Sequence, residues 1–421
     1  MNSFYGLYIK FMRKQIGLSS AELAHSIQIS PTSLCRIENC QRPCNQSIFE
    51  SALSIFSQYI PGFHFNFSEE VKDLASQQLK IWLVKYLDYS FSEDLEELER
   101  FINNPEYRNS TAFFEVKLLE CFLEFFKTNR QKGILLFQND LPLLESYLSN
   151  EFLFLAYDLM GTSHHFNLRE SEEAIGYFRK AASFIQETNG SGFTALAQYH
   201  IIVSLLAEMD HISVLPLFDA CIVSLQKVGA FRRMAFLETY RGICFQNLSL
   251  FFEAEEIFKN VETKIPQVNA PYLRQTVNEN LMWLYLKQER YVESRKCIEQ
   301  ARIYHSTFPD LSLAAVWDSY NLDDSQKCLE VIAQELSLLQ NTSRSNFVRS
   351  VLDLIALAVH GNEFALRKQF EKVKEALPQY KNVEADFIIY SVMSDYYYQR
   401  ADYKTALSFE QMKTQFLLSQ T

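Results

Sequence analysis

The sequence predicts an all-α fold, and three observations point to it. Glycine and proline are scarce, at 11 and 10 of 421 residues, whereas β-sheet proteins and glycine-rich nucleotide folds need more turn residues. From residue 69 to the end, apolar residues recur at helical spacing rather than in strand-like alternation. Short helix pairs also repeat along the chain with a period of 37–40 residues. A repeat of this kind predicts a right-handed α-solenoid of stacked helical hairpins.

Charge divides the chain into two parts. Apolar residues make up 48% and charged residues 22% of the sequence, which is typical of an ordered, soluble protein. Residues 1–60 carry a net charge of +2, so the other 361 residues carry −13 of the total of −11. An acidic chain of this kind does not coat nucleic acid along its whole length. We predict an N-terminal domain at 1–60, a linker at 61–68 and a repeat domain at 69–421.

The cysteines and the N-terminus predict a cytoplasmic protein with reduced thiols and no membrane segment. The eight cysteines include no CxxC pair, and the first residues lack the apolar core of a signal peptide. Cys35, Cys40 and Cys44 have C-x4-C-x3-C spacing, and a metal site would need a fourth ligand such as His25. We expect three unrelated thiols instead, with a thiol switch left open.

Four helices are predicted in the N-terminal domain. Residues 4–15 have an apolar stripe at i, i+3 and i+4 spacing. Ser19 or Ser20 can cap a second helix, and Ser30 a third, in which Pro31 suits the first turn. A fourth helix follows Pro43.

The internal repeat places small residues at steps of 40. Ala174, Val214, Ala254 and Ser294 are each followed four residues later by Phe178, Phe218, Phe258 or Ile298. Residues 364–377 and 403–416 resemble later members. We expect the small residue where the two helices of one hairpin approach closely, and the bulky residue in the gap to the neighbouring hairpin.

The segment 242–266 resembles the tetratricopeptide repeat. The pattern is carried by Gly242, Phe245, Phe251, Ala254, Phe258 and Pro266. Met282 and Ser294 stand where small residues are expected, so their hairpin must splay or repack. Another kind of α-hairpin array is the alternative.

Residues 12–43 resemble the helix-turn-helix domain of the Xre/phage-repressor family. The matching residues are Arg13, Gly17-Leu18-Ser19, Glu22-Leu23-Ala24, Ile29-Ser30, Leu34, Arg36-Ile37-Glu38 and Arg42-Pro43. Independently of the resemblance, Leu23, Ala24, Ile27, Leu34 and Ile37 can form one small core, which leaves the other side of the third helix facing outwards.

The resemblance implies that the third helix enters the major groove of DNA. Thr32 and Ser33 would then reach bases or phosphates, Arg36 a base edge or phosphate, and Ser20 a phosphate. Arg13, Lys14 and Arg42 would anchor the DNA backbone, while Glu38 pairs with a cation of the first helix such as Arg13. The family usually has glycine where this chain has Gln28 and Cys40, in turns that often use left-handed backbone. A domain that kept the fold but binds protein is the alternative.

Stacked hairpins form a concave surface lined by their first helices, which suits an extended peptide. Asn and Gln side chains can pair with a peptide backbone because each offers a donor and an acceptor. With Gly242 as the register mark, nine residues lie on or near this surface: Tyr199, Glu238, Thr239, Gln246, Asn247, Arg274, Asn278, Glu279 and Trp283. The alternative for each is a solvated or hairpin-packing role.

The two parts together resemble, in architecture, the cytoplasmic peptide-pheromone receptors of Gram-positive bacteria and their phages, the Rgg, PlcR, NprR and AimR class. This resemblance implies a homodimeric transcriptional regulator that binds a double-stranded DNA operator and a short signalling peptide. The chain has no phosphate-binding loop, HExxH or GxSxG motif, so we expect no enzymatic activity and no cofactor. A repeat scaffold that binds or inhibits a protein partner, and a constitutive repressor without a ligand, are the alternatives.

Overall fold

The computed structural model describes residues 2–88, 95–128, 132–185, 191–208, 211–268, 271–303, 308–380 and 383–418. These residues form 23 α-helices, and the all-α fold class is confirmed. Within these ranges no helix is long and apolar enough to cross a lipid bilayer.

The chain divides into two compact units. Unit 1 comprises Met1–Glu208 and Asp219–Arg233, and unit 2 comprises Met209–Phe218 and Met234–Thr421. The helices up to residue 227 are α1 Asn2–Gln15, α2 Ser20–Ser26, α3 Pro31–Glu38, α4 Gln46–Tyr59, α5 Glu70–Leu87, α6 Glu96–Asn103, α7 Pro105–Arg108, α8 Phe113–Thr128, α9 Leu141–Leu144, α10 Asn150–Ser163, α11 Ser171–Ser183, α12 Ser191–Ala207 and α13 His211–Lys227.

The remaining helices follow as successive pairs. They are α14 Phe231–Asn247, α15 Phe251–Val268, α16 Pro271–Lys287, α17 Tyr291–Arg302, α18 Pro309–Leu322, α19 Ser325–Leu338, α20 Ser343–His360, α21 Glu363–Tyr380, α22 Val383–Gln399 and α23 Tyr403–Leu418. The first helices of successive hairpins, α16, α18, α20 and α22, also contact one another. We call the side on which they meet the inner face of unit 2.

The four N-terminal helices belong to the same compact unit as the helices that follow them. Lys10 of α1 forms an ion pair with Asp140, at 2.7 Å between Nζ and Oδ1. Phe65 of the predicted linker is buried, and its ring centroid lies 5.1 Å from that of Tyr8. The amide of Asn66 donates to the carbonyl of Asn109. Phe65 and Asn66 therefore hold segment 61–68 against the rest of unit 1, while half of its residues are exposed. The predicted domain boundaries stay predictions.

Left-handed residues lie in the turn between the two helices of several hairpins. In unit 2 these residues include Ser249, Glu289, Gly361 and Ala401, with φ of 60°, 59°, 75° and 60°. Such backbone favours glycine, yet only one of the four is glycine. The low glycine content is therefore compatible with many tight helix–helix turns, at some cost in backbone strain.

The small and bulky repeat positions are buried, and the bulky residue packs within its own hairpin as well as towards the next one. Ala174, Ala254 and Ser294 are fully buried. A Cβ added at Gly242 would lie 2.5 Å from the Phe258 ring, and one at Gly161 would lie 2.6 Å from the Phe178 ring. The phenylalanine thus packs against the glycine of its own first helix. The ring of Phe178 also lies 4.9 Å from that of His200 in α12, the first helix of the next hairpin, as expected for a residue in the gap between hairpins.

The hairpin of α16 and α17 packs a different pair of side chains at these positions. Met282 occupies the position of Gly242 and is fully buried, while Ile298 occupies the position of Phe258 and is 5% exposed. The smaller side chain on the second helix offsets only part of the volume that methionine adds on the first, so this hairpin does not reproduce the glycine–phenylalanine contact.

Replacing Gly242 with alanine tests this packing. We expect Gly242→Ala to destabilise unit 2 by about 1–3 kcal/mol, because its methyl group would overlap the Phe258 ring. Gly176→Ala is the matched control: Gly176 lies in α11, and an added Cβ there meets no atom within 4 Å, so helix propensity alone should stabilise the protein by up to about 1 kcal/mol. Urea denaturation followed by circular dichroism measures both. An unchanged or higher midpoint for Gly242→Ala would contradict the packing model.

A buried carboxylate lies beside the serine that breaks the small-residue pattern. Asp318 of α18 is fully buried, and neither of its carboxylate oxygens has a hydrogen-bond partner of normal geometry. Burial raises the pKa of Asp318 to about 7, opposed only in part by the Ser294 hydroxyl and the positive charge of Arg295. Because the carboxyl group ionises near pH 4 in the unfolded chain, it costs the folded state stability as the pH rises from about 4 to 7.

Replacing Asp318 with asparagine should remove this pH dependence. We expect Asp318→Asn to gain about 2–4 kcal/mol of stability relative to the parent protein between pH 4.5 and pH 7.5, since only the parent ionises in that interval. Denaturation midpoints at the two pH values measure the difference. Asp324→Asn, at an exposed helix cap of the next helix, is the control and should shift both midpoints alike. Parallel curves for Asp318→Asn and the parent would refute the argument.

Candidate nucleic-acid interface and candidate peptide groove

The second and third helices begin at side-chain caps. The Ser19 hydroxyl accepts from the Glu22 amide, and the Glu22 carboxylate accepts from the Ser19 amide, which makes a capping box. The Ser30 hydroxyl accepts from the Ser33 amide, with Pro31 in the first turn. Of the two predicted caps for α2, the structure uses Ser19. These caps set where the chain turns from α2 into α3.

The turns on either side of α3 use left-handed residues. Gln28 has φ of 58° and Cys40 has φ of 56°. These are the two positions at which the helix-turn-helix family usually has glycine. The left-handed backbone that the resemblance led us to expect is present at both positions, and each non-glycine side chain adds strain.

The apolar side of α3 is buried and its opposite side is exposed. Leu23, Ala24, Leu34 and Ile37 have less than 2% of their surface exposed, and Ile27 is half-buried. The predicted small core is thus formed, and Thr32, Cys35 and Arg36 of α3 are exposed on the other side.

Arg42 lies next to the start of α3. Its Nη1 donates to the Ser33 hydroxyl at 3.2 Å, and the Ser30 hydroxyl donates to the same oxygen at 3.0 Å. Arg42 itself is exposed. A positive charge is therefore held beside the helix N-terminus, which also favours anions.

Two of the seven predicted DNA contacts are directed into the protein. Arg13 forms a two-point ion pair with Glu38, at 2.7 and 2.9 Å, and donates to the Leu18 carbonyl. The predicted pairing of Glu38 with Arg13 is confirmed, and the pair joins α1 to α3. The Ser20 hydroxyl is buried. Lys14, Thr32, Arg36 and Arg42 are exposed, and Ser33 is half-buried.

The three N-terminal cysteines do not form a cluster with other ligands. In the part of the chain that the structure describes, no group of three His, Cys, Asp or Glu side chains could hold a metal ion. Cys35 is exposed, whereas Cys44 is buried, and burial raises the pKa of its thiol to about 12. Cys44 is thus a poor nucleophile at neutral pH.

The nine predicted peptide contacts are distributed over both units. Tyr199 belongs to unit 1, is 8% exposed, and lies under the guanidinium of Arg233, 4.6 Å from the ring centroid. The other eight belong to α14 and α16 of unit 2.

The four residues on α14 are engaged within unit 2. Glu238 forms an ion pair with Lys264 of α15 at 2.9 Å, and Thr239 is buried and donates to the Ala235 carbonyl. The Asn247 amide lies 3.1 Å from Nε2 of His211. Gln246 is buried, and its amide oxygen has no hydrogen-bond partner. Gln246 is therefore the one of the four with an unsatisfied buried acceptor.

On α16, a half-buried stripe runs along one side of the helix. Gln275, Glu279, Trp283 and Lys287 stand at successive four-residue steps, and the Gln275 amide donates to Glu279 at 2.7 Å. Arg274 is also half-buried, whereas Asn278 is buried and donates to the Arg274 carbonyl of its own helix.

The inner face of unit 2 is closed by contacts between first helices. Lys287 at the end of α16 forms an ion pair with Glu384 of α22, with 3.7 Å between Nζ and Oε1. The ring of Trp317 in α18 lies edge-on to Phe387 of α22, with 6.3 Å between centroids. Sequence reasoning missed these four residues because each contact joins helices about 70 or 100 residues apart.

Two histidines that are adjacent in the sequence, His164 and His165, have separate partners in unit 1. His164 lies 2.8 Å from the Glu170 carboxylate, and His165 lies 3.2 Å from the Ser204 hydroxyl. His164 opens a π-helical turn, His164–Leu168. The two rings do not share a ligand, so they form no metal site together.

One comparison with solved structures supports the fold. No family model matches this sequence, and no curated protein matches it. A solved structure of the Rap protein complexed with competence and sporulation factor is similar, with a TM-score of 0.60 and 14% identity over 83% of this chain and 99% of that one. PlcR from Bacillus thuringiensis, solved with the peptide PapR7 and DNA, has a TM-score of 0.38 and 14% identity over 63% of this chain and 95% of that one. The first of these likenesses, together with the hairpins described above, establishes a tetratricopeptide-like helical repeat fold.

Proposed function

We propose that this protein is a homodimeric transcriptional regulator that binds double-stranded DNA through α3 and is controlled by a short signalling peptide held by its helical repeats. The observation that carries the proposal is that α3 has one buried side and one exposed side. Leu34 and Ile37 are buried in the small core, while Thr32 and Arg36 are exposed on the opposite side. An exposed polar face on a capped helix is the arrangement that helix-turn-helix proteins place in the major groove.

Charge supports the same surface. Residues 1–60 are net basic within an otherwise acidic chain, and Lys14, Arg36 and Arg42 are exposed. Phosphate contacts by such residues provide affinity and position, whereas Thr32 and Arg36 on α3 have the side chains to read base edges. Arg13 is held by Glu38, so its role in the proposal is to fix α1 against α3.

The closed inner face of unit 2 supports control by a peptide. A peptide with a basic group would compete with Lys287 for Glu384, and an apolar side chain would compete for the surface between Trp317 and Phe387. A ligand shifts an equilibrium only when it binds one arrangement better than the other. Here the peptide would favour an arrangement in which these two contacts are open. The Rap protein that shares this fold was itself solved with a bound factor.

Charge reversal on α3 tests the DNA-binding proposal. We expect Arg36→Glu with Arg42→Glu to weaken binding to DNA from upstream of the gene at least tenfold, and to lower the salt slope by about one unit per lost phosphate contact. Lys368→Glu, an exposed cation of α21, is the matched control and should leave binding unchanged. Fluorescence anisotropy at several salt concentrations measures both quantities. If the double variant binds as the parent does, the repeat-scaffold alternative is favoured instead.

Two variants with opposite expected effects test the peptide proposal. Lys287→Met removes the internal competitor for Glu384, so we expect peptide affinity to rise roughly two- to fivefold, the value of one half-exposed ion pair. Glu384→Gln removes the acceptor and should lower affinity. Glu299→Gln, exposed on α17, is the control. Calorimetry with a synthetic peptide that carries a basic group and an apolar side chain measures all three, and changes of the same sign in both variants would refute the mechanism.

A further inference from the structure

The solvent side of α5 in unit 1 is apolar at three positions that share one stripe. Leu74, Ile81 and Val84 are 38%, 48% and 67% exposed. Together with the exposed Gln77 they follow spacings of three, four and three residues, which place side chains on one face of a helix. We call these four residues the α5 stripe.

The fold of unit 1 uses the opposite side of this helix. That side is at most 3% exposed and comprises Val71, Ala75, Leu79, Trp82, Leu83 and Tyr86. A surface helix normally has polar residues opposite its buried side, and a single exposed apolar residue there needs no explanation. Three on one stripe form a continuous seam of the kind by which two helices pack together. The stripe therefore has the pattern of a contact with a second helix.

Charged residues beside the stripe are divided between the two halves of α5. Glu70 and Asp73 lie in the first half and Lys80 in the second, and all three are exposed. None of these three side chains forms an ion pair with a residue that the structure describes. Lys85 differs from them, because its Nζ lies 4.1 Å from the centroid of the Trp82 ring. The three unpaired charges thus give α5 an acidic beginning and a basic end.

This pattern is complementary to itself when two α5 helices run antiparallel. With a two-fold axis between positions 77 and 78, Leu74 of each copy lies opposite Ile81 of the other, because the two residues are equally far from the axis. The two Gln77 side chains meet beside the axis, where each amide can donate to the carbonyl of the other. Asp73 lies two residues, ~3 Å along the helix, from the position opposite Lys80, within reach of a lysine side chain. A surface that pairs with itself in this way is the common basis of a two-fold homodimer.

Other partners match these charges less well. A parallel pair of α5 helices would place Asp73 against Asp73 and Lys80 against Lys80, and like charges at a contact cost affinity. An anionic lipid surface would be repelled by Glu70 and Asp73 and attracted by Lys80 alone. The observations therefore favour a second copy of this chain in antiparallel orientation.

We propose that two copies of this protein pair through the α5 stripe, with their α5 helices antiparallel. The inference rests on the homodimer of the proposed function and names its interface. Because α3 and α5 belong to the same compact unit, this contact fixes the separation of the two α3 helices, and the dimer can present both to two half-sites of one operator. A single pair of helices is a small interface, so we expect a dimer Kd of about 10 µM.

Exchange of the two charges tests the pairing directly. Asp73→Lys places a lysine beside the partner's Lys80, and Lys80→Asp places an aspartate beside the partner's Asp73. We expect each variant alone to raise the dimer Kd at least fivefold in sedimentation equilibrium of the full-length protein. An equimolar mixture of the two variants should dimerise as the parent does, because every contact between them then joins opposite charges.

Substitution of an apolar residue gives a second measurement of the same contact. Ile81→Ser should raise the dimer Kd at least tenfold, because a two-fold interface loses the side chain twice. Ile303→Ser is the matched control: Ile303 follows α17 directly and is 69% exposed, so its loss should change the Kd less than twofold. Circular dichroism checks that each exposed substitution leaves the fold intact.

Three results would overturn the proposal. One is an equal dimer Kd for Ile81→Ser and Ile303→Ser, which would leave the homodimer in place and assign its interface to another surface. The second is a mixture of the two charge variants that dimerises no better than either variant alone. The third is a parent protein that stays monomeric at about 100 µM with DNA from upstream of the gene, which would also remove the homodimer from the proposed function. DNA binding itself is judged separately, by the variants of Arg36 and Arg42.

Discussion

The hairpins of this protein depend on how closely two helices can approach at one point. In unit 2 that point is Gly242, against which the ring of Phe258 packs with no space for a methyl group. In unit 1 Gly161 and Phe178 make the same contact. Because protein interiors are close-packed, a larger side chain on one helix requires an adjustment of the side chains on the other. The hairpin with Met282 and Ile298 buries a different pair of side chains at this point, so the repeat tolerates a loose sequence pattern.

The polar departures from the repeat lie away from this contact. Ser294 occupies the repeat position that alanine holds in other hairpins, and it lies beside the buried Asp318. Burial raises the pKa of the Asp318 carboxyl group. Lys287 and Glu384 join α16 to α22, and Trp317 lies against Phe387. These contacts are specific to particular hairpins, so they distinguish one arrangement of the helices from another. A ligand that competes for them can change that arrangement, which is the physical content of the proposed peptide control.

At the N-terminus, the turns on either side of α3 adopt a backbone conformation that is strained for their residues. Gln28 and Cys40 adopt the left-handed backbone that glycine would adopt without strain. The caps at Ser19 and Ser30, the Arg13–Glu38 pair and the small core offset this cost. The result is a short helix with one side fixed in the protein and the other, with Thr32 and Arg36, exposed. Cys35 shares this exposed side, a position that the spacing of the three cysteines did not indicate.

Local rules were enough to predict the helices, their caps and the repeat positions, because apolar spacing, capping residues and small-residue periodicity act within a few residues of each other. They also predicted the outward face of α3 and the pairing of Glu38 with Arg13. They could not predict which candidate binding residues already have partners within the protein. Arg13, Glu238 and Asn247 are engaged by residues 25 to 36 positions away in the chain. Nor could they show the contacts across the inner face, because Lys287 with Glu384 and Trp317 with Phe387 are brought together only by how successive hairpins stack.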